Sequence, residues 1–282
     1  MSKRKNNDVF NGDTVPDQNI KSVSNNVIEE FSWKVPYETV PLPSQGLIYG
    51  ADSFFYQKEM IDIKAMTAKE EDILLSQALI KKGTVIEELI KSCIMNRGAN
   101  VNDLIVGDRN ALSIAIRITG YGTEYKAKVT CPKCNHENDK VFDLADLEIK
   151  RLGAEPVEAG KNLFAFRLPI SKKMVHFKLM TGADERQKQI NDQGYIQTLG
   201  PMSIGVVTSN LRYVIESIDG ITEKGKISKF IDVMPALDSK RLREYISSIQ
   251  PGIDMNAKLH CENCETLTTV SLPVTSELFW PS

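Results

Sequence analysis

The stretch DRNALSIAIRITGYGTEYKAKVTCPKC, residues 108–134, decides how the rest of the chain is read. Leu112, Ala115, Ile116 and Ile118 recur at helical spacing, and Gly120-Tyr121-Gly122 then breaks the pattern. Residues 124–130 alternate as a strand and run into a Cys-x-x-Cys knuckle at Cys131 and Cys134. The same text returns at residues 238–264 as DSKRLREYISSIQPGIDMNAKLHCENC, in register and without a gap. Asp108 matches Asp238, Leu112 matches Leu242, Ile116 matches Ile246, Gly122 matches Gly252, and Cys131 and Cys134 match Cys261 and Cys264. Each pair is 130 positions apart. A fixed spacing over so many landmarks signals internal duplication.

An earlier block repeats as well. KEMIDIKAMTAKEE at 58–71 resembles KKMVHFKLMTGADE at 172–185, now 114 positions on, so the second copy carries about 16 extra residues between its landmarks. The expected fold class is α+β: two tandem copies of a strand–helices–strand unit, each ending in a zinc knuckle, related by pseudo-two-fold symmetry. The expected division is a flexible polar arm at 1–32, a first unit at 33–150 and a second at 151–282.

Working outward, residues 33–50 hold three prolines, and LPSQG at 42–46 suits an extended segment closing on a turn with Gly46 at its strained position. Residues 54–65 alternate as one bent strand or a strand pair, with Ile61 and Ile63 on one side. Thr67 with Glu70 three residues on makes a capping box opening a helix over 67–79, and Thr181 with Asp184 makes a weaker one. Further helices are expected over 85–95, from a cap at Asp108 to about 119–122, and over 204–218, 226–234 and 238–249. Strands are expected at 140–144, 163–168, 174–180 and 266–272, with an inserted loop at 194–203. The apolar terminus around Leu278-Phe279-Trp280 reads as a segment tied down by packing.

Composition narrows the function. With 282 residues, 41% hydrophobic and 26% charged, the chain is an ordinary globular protein large enough for a sizeable core. A net charge of −2 gives none of the basic surplus that marks a nucleic-acid binder. The apolar run at 112–118 is broken by Ser113 and Arg117 and is far too short for a membrane span. The opening MSKRKNNDVF is basic without an apolar run behind it, so it does not read as a secretory signal. These features suit a reducing cytoplasm, where cysteine pairs serve metals more often than disulfides.

Of the five cysteines, Cys93 sits in an apolar run and reads as a small buried hydrophobe. The other four are candidate metal ligands: Cys131, Cys134, Cys261 and Cys264. Four thiolates in a tetrahedron make a closed structural Zn²⁺ site, and each knuckle supplies half of one. The expectation is a single structural zinc ion shared between the two units. Recruitment of His136 or His260 to separate sites stays open, as do four free thiols. No catalytic set is visible: the three histidines are scattered, and no Gly-rich phosphate loop, HExxH or Ser-His-Asp pattern occurs. The acidic pairs Glu70-Glu71 and Asp184-Glu185 fall in first helical turns, where the helix dipole favours carboxylates. The expectation is therefore no catalytic residues, no small-molecule cofactor and no enzyme.

LPSQGLIY at 42–49, DRNAL at 108–112, RITGYG at 117–122, the Cys-Pro-x-Cys knuckle and the terminal Phe279-Trp280-Pro281 resemble the T4-type phage baseplate hub assembly proteins, over most of the chain from about Val40. The resemblance implies a non-enzymatic component or assembly factor of the central hub of a contractile tail. Its partners would be other hub and tail proteins, with no nucleic acid, membrane or small-molecule substrate. Its location would be the host cytoplasm during assembly and the virion tail baseplate. The alternative is a zinc-ribbon adaptor binding nucleic acid, but Glu262 and Glu265 beside the second knuckle would repel phosphate.

Overall fold

The computed structural model describes residues 34–96, 98–199, 205–272 and 276–279. The arm expected at 1–32, part of the loop expected at 194–203, and Trp280 lie outside them. Strand β1 (Tyr37–Pro41) pairs antiparallel with β2 (Met60–Lys64). Ile61 and Ile63 point into the core as the alternation requires. The strand expected over 54–65 begins only at Met60, because residues 54–57 form a turn that buries Phe55 against Tyr49. Gly46 has φ +70°, and a Cβ there would stand 2.2 Å from the Phe55 carbonyl oxygen. Both the backbone conformation and the close approach demand glycine.

The helix expected over 67–79 is two: α1 (Ala68–Leu75) and α2 (Gln77–Lys82), separated by an extended Ser76. Gly83, at φ +66°, closes α2 in the left-handed cap, and α3 (Val85–Cys93) turns Leu89, Ile90 and Cys93 inward. Helix α4 (Val106–Tyr121) is the centre of the first half. Asp108 is not its cap. The helix starts two residues earlier, where Val106 N–H donates to Met180 O (2.9 Å) and Gly182 N–H to Leu104 O (3.0 Å). That junction with the second half fixes the helix start and leaves Asp108 facing the core, fully buried.

Hairpin β3 (Glu124–Thr130) and β4 (Glu137–Asp143) carries the first knuckle, with β4 starting three residues before the expected strand. The chain then makes the short strand β5 (Ile149–Lys150). Strands β6 (Phe164–Arg167) and β7 (Met174–Phe177) form a further antiparallel pair. Helix α5 (Gly182–Leu199) follows, so residues 194–199 continue a helix where an inserted loop was expected. The polar sequence there has no apolar period to announce a helix. The expected helix over 204–218 is shorter, α6 (Val206–Val214), and its end becomes strand β8 (Ile215–Ile218), which completes a sheet in the order β6-β7-β8. The β-branched Ile215 and Ile218 suit an extended chain, and pairing with β7 decides the matter.

Helices α7 (Lys224–Val233) and α8 (Ala236–Ile249) lead to β9 (Gly252–Ile253), then to the hairpin β10 (Asn256–His260) and β11 (Leu267–Ser271) with the second knuckle. Strand β9 pairs antiparallel with β5 from the first half. Gly107 lets α4 meet this region, since a Cβ there would stand 1.8 Å from the Pro251 oxygen. Leu278 and Phe279 are buried, as expected of a tied-down terminus. One continuous apolar cluster runs from Val40 through α4, β6 and β7 to Phe279.

Candidate metal centre

Each knuckle is built by the backbone. Cys131 N–H donates to His136 O (2.9 Å) and Asn135 N–H to Cys131 O (2.9 Å). In the second knuckle Cys261 N–H donates to Thr266 O (3.1 Å) and Glu265 N–H to Cys261 O (3.0 Å), at the same offsets. The residue after the second cysteine is left-handed in both, Asn135 at φ 57° and Glu265 at φ 52°. This tight turn folds each Cys-x-x-Cys so that its two sulfurs converge.

The two knuckles face one another. All four sulfurs lie within 4.8 Å of each other. Across the junction Cys131 Sγ is 3.8 Å from Cys264 Sγ, and Cys134 Sγ is 3.6 Å from Cys261 Sγ. Thiolates about 2.3 Å from a tetrahedral ion stand about 3.8 Å apart, so the cavity has the dimensions of a four-thiolate metal site. A disulfide would need about 2.05 Å. Cys131 and Cys261 are buried, and Cys134 and Cys264 are half-buried. The amides of Cys264 and Asn263 lower the Cys261 thiol to about 6 despite burial, and the Thr266 amide and hydroxyl lower that of Cys264. Donors aimed at the sulfurs of Cys261 and Cys264 favour the thiolate, which is the form that ligates metal. At Cys134 the His136 amide and Asn263 act to lower the thiol, but burial and the neighbouring Cys264 and Cys261 sulfurs outweigh them and raise it. The cluster includes neither His136 nor His260.

One residue of the junction carries no sequence signal. Asn138 is buried; its amide donates to His136 O (3.0 Å) and its Oδ1 accepts from Glu262 N–H (2.9 Å), tying the two knuckles together. Lys140 adds an ion pair to Glu262. In the sequence Asn138 reads only as a turn residue.

The acidic positions act as anchors within the fold. Glu70 is buried and accepts from Lys64 Nζ (2.6 Å), Thr67 N–H (3.0 Å) and Ser92 Oγ (2.5 Å). Burial alone would raise its pKa, but these donors outweigh it and bring the carboxyl to about 2. Asp184, expected to cap weakly, makes the complete reciprocal box: it accepts from Thr181 N–H and donates its own N–H to Thr181 Oγ1, both at 3.1 Å. Asp108 accepts from Ser44 N–H (2.9 Å), Ser44 Oγ (2.5 Å) and Tyr49 Oη (2.6 Å). Asp238, 130 positions on, accepts from Ile170 N–H (2.7 Å) and Ser171 N–H (2.9 Å). Arg117, 2% exposed, donates to the carbonyls of Leu278 (2.8 Å), Gly122 (2.7 Å) and Glu124 (2.8 Å).

A family model described as T4 bacteriophage base plate protein matches residues 37–280. The chain belongs to that family. Membership implies a structural component of the phage virion tail, working beside other tail proteins. Neither curated proteins nor solved structures give a match to this baseplate chain. Several residues that carry the family resemblance are the buried polar anchors: Ser44 and Tyr49 bind Asp108, and Arg117 binds the segment ending in Phe279. Among the described residues of this baseplate protein, no helix is long and apolar enough to cross a membrane.

Proposed function

We propose that this baseplate protein is a non-enzymatic structural or assembly component of a contractile tail's central hub, held together by one structural Zn²⁺ on Cys131, Cys134, Cys261 and Cys264. The observation that carries the metal reading is the meeting of two sequence-distant Cys-x-x-Cys turns with all sulfurs within 4.8 Å. Four thiolates select a soft or borderline ion, and Zn²⁺ has no coordination position left for chemistry in such a set. Cys131 and Cys134 of one hairpin and Cys261 and Cys264 of the other would hold the ion, which would supply a structural tie between them. The residues around it would supply amide donors to the sulfurs, and the polar anchors elsewhere are spent on holding segments together.

The two units, 33–150 and 151–282, are read as duplicated halves related by a pseudo-two-fold axis. Both run from an antiparallel strand pair through a Thr-capped helix to a central helix and a knuckle hairpin. Hydrogen bonds at matching offsets in the two knuckles support this reading, as do the paired anchors Asp108 and Asp238. The hub assignment is tested by mass spectrometry of purified tails, which is expected to find this chain in fixed ratio to other hub proteins. Elemental analysis of the purified protein is expected to find one zinc per chain. Strong, salt-dependent DNA binding would favour the nucleic-acid adaptor instead.

A further inference from the structure

The two knuckle hairpins meet asymmetrically. On one side, β4 of the first hairpin closes on the second knuckle through Asn138–Glu262 and Lys140–Glu262. At the 130-residue spacing, Asn138 corresponds to Thr268, Lys140 to Val270 and Glu262 to Pro132. Pro132 has no N–H to donate and no charge to pair, so the other side cannot close in the same way. It holds instead a groove of about 400 Å³ lined by Lys128, Val129, Thr130, Pro132 and residues 269–271.

The walls of this groove are strand edges. Among the described residues each hairpin is a two-stranded sheet, so residues 128–130 of β3 and 269–271 of β11 each have one edge with no further strand beside it. Cys131 N–H bonds to His136 O, and with the β3–β4 register this puts the main-chain groups of Val129 toward β4 and those of Lys128 and Thr130 outward. Cys261 N–H bonds to Thr266 O, and the β10–β11 register likewise turns Thr269 and Ser271 outward. Those four outward residues line the groove, and the buried Val129 and Val270 form its floor. Three residues on each wall span about 10 Å of extended chain. Lys128 is the lone charge in the lining; its Nζ lies 4.0 Å from Asp139 on β4, a loose pair with both side chains largely exposed, which leaves the ammonium open to a second carboxylate.

We infer that this groove takes an extended segment of a partner protein by strand addition, with a carboxylate side chain of that segment opposite Lys128. Main-chain hydrogen bonds to an open edge supply the affinity, and alternate side chains set the specificity. Small or β-branched side chains of the incoming strand fit over the valine floor. The asymmetry limits the molecule to one such slot at this junction.

The test uses the full zinc-loaded chain and two eight-residue peptides of alternating threonine and valine, one with a central glutamate and one with lysine there. The glutamate peptide is expected to slow NMR-detected hydrogen exchange at the amides of Lys128, Thr130, Thr269 and Ser271. Thr269→Pro removes an outward donor without touching the β10–β11 ladder, and is expected to weaken binding about fivefold at unchanged zinc content. Lys128→Glu is expected to reverse the peptide preference, roughly threefold each way. The inference is overturned if the glutamate peptide protects none of the four amides, or if both peptides bind alike. It is also overturned if those amides are already protected in the free chain, since the slot is then filled from within. Zinc content is read separately, so failure here leaves the metal reading standing or falling on its own.

Discussion

The Tyr49 hydroxyl donates to the Asp108 carboxylate at 2.6 Å, joining the turn after β1 to the first turn of α4 across 59 positions of chain. The same hydroxyl accepts from Ile105 N–H (3.2 Å), just ahead of the helix. Tyr49→Phe therefore takes one of three donors from the buried Asp108 carboxyl and removes the Tyr49 acceptor from the Ile105 N–H. It is expected to cost about 2–3 kcal/mol in urea unfolding while leaving zinc content unchanged.

Asp108 also predicts a pH dependence. Burial raises its carboxyl to about 6, although Ser44, Tyr49 and the charge of Arg151 act to lower it. With the folded pKa above the unfolded value of 3.8, the native state holds the extra proton, and the stability this gives is lost as pH rises from about 4 through about 6. Between pH 4 and pH 7 the stability of Asp108→Asn should gain on the wild type by about 2 kcal/mol. Parallel denaturation curves at the two pH values check this, and an unchanged difference would rule out a raised Asp108 pKa.

Arg117 clamps the Leu278 carbonyl to those of Gly122 and Glu124 through one planar fork. Lysine cannot reproduce three donors in that plane. Arg117→Lys is expected to destabilise by about 3 kcal/mol and to speed hydrogen exchange around Leu278 and Phe279 before the rest of the chain.

Removal of either half of the sulfur cluster should remove the same ion. Cys131→Ser and Cys261→Ser are each expected to abolish zinc binding and to cost similar stability. Loss of metal in only one of them would mean the site is not shared. Chelation should loosen both hairpins first, because they hold all four sulfurs, while most of the buried cluster from Val40 to Phe279 comes from other elements. The loss should stay below the roughly 10 kcal/mol that metal supplies to isolated zinc fingers.

Gly107 lies where α4 approaches the Pro251 oxygen, so Gly107→Ala must move main chain against main chain. A cost of at least about 3 kcal/mol is expected, far above the gain alanine usually brings to a helix interior. A thermal melt of the variant checks it.

The local units were legible because their patterns are local. Strand β3 follows from strict alternation, the Thr67 cap from its Glu70, and the knuckles from cysteine spacing. The four ligand candidates could be picked from the sequence because the chain carries two Cys-x-x-Cys pairs, each of them half of a four-thiolate set. What stayed hidden depends on distant partners. Asp108 has the look of a helix cap, and only the 104–106 junction with 180–182 moves the helix start ahead of it. Ile215–Ile218 continues a helical pattern until β7 offers a strand to pair with. Residues 194–199 are helical without an apolar stripe, so no period marks them. Asn138 is ordinary turn chemistry until the second knuckle arrives beside it.

Arg117 and Leu278 are 161 residues apart, and Cys131 waits 133 residues for Cys264. At typical synthesis rates of about 5–20 residues per second, a ribosome releases the two ends of the Arg117 clamp roughly 8–30 s apart. During that interval the nascent chain carries a guanidinium without its final acceptor and half a set of thiols. The first half therefore completes its fold only after the second has been made, and the growing chain must be kept from oxidation and from mispairing until then.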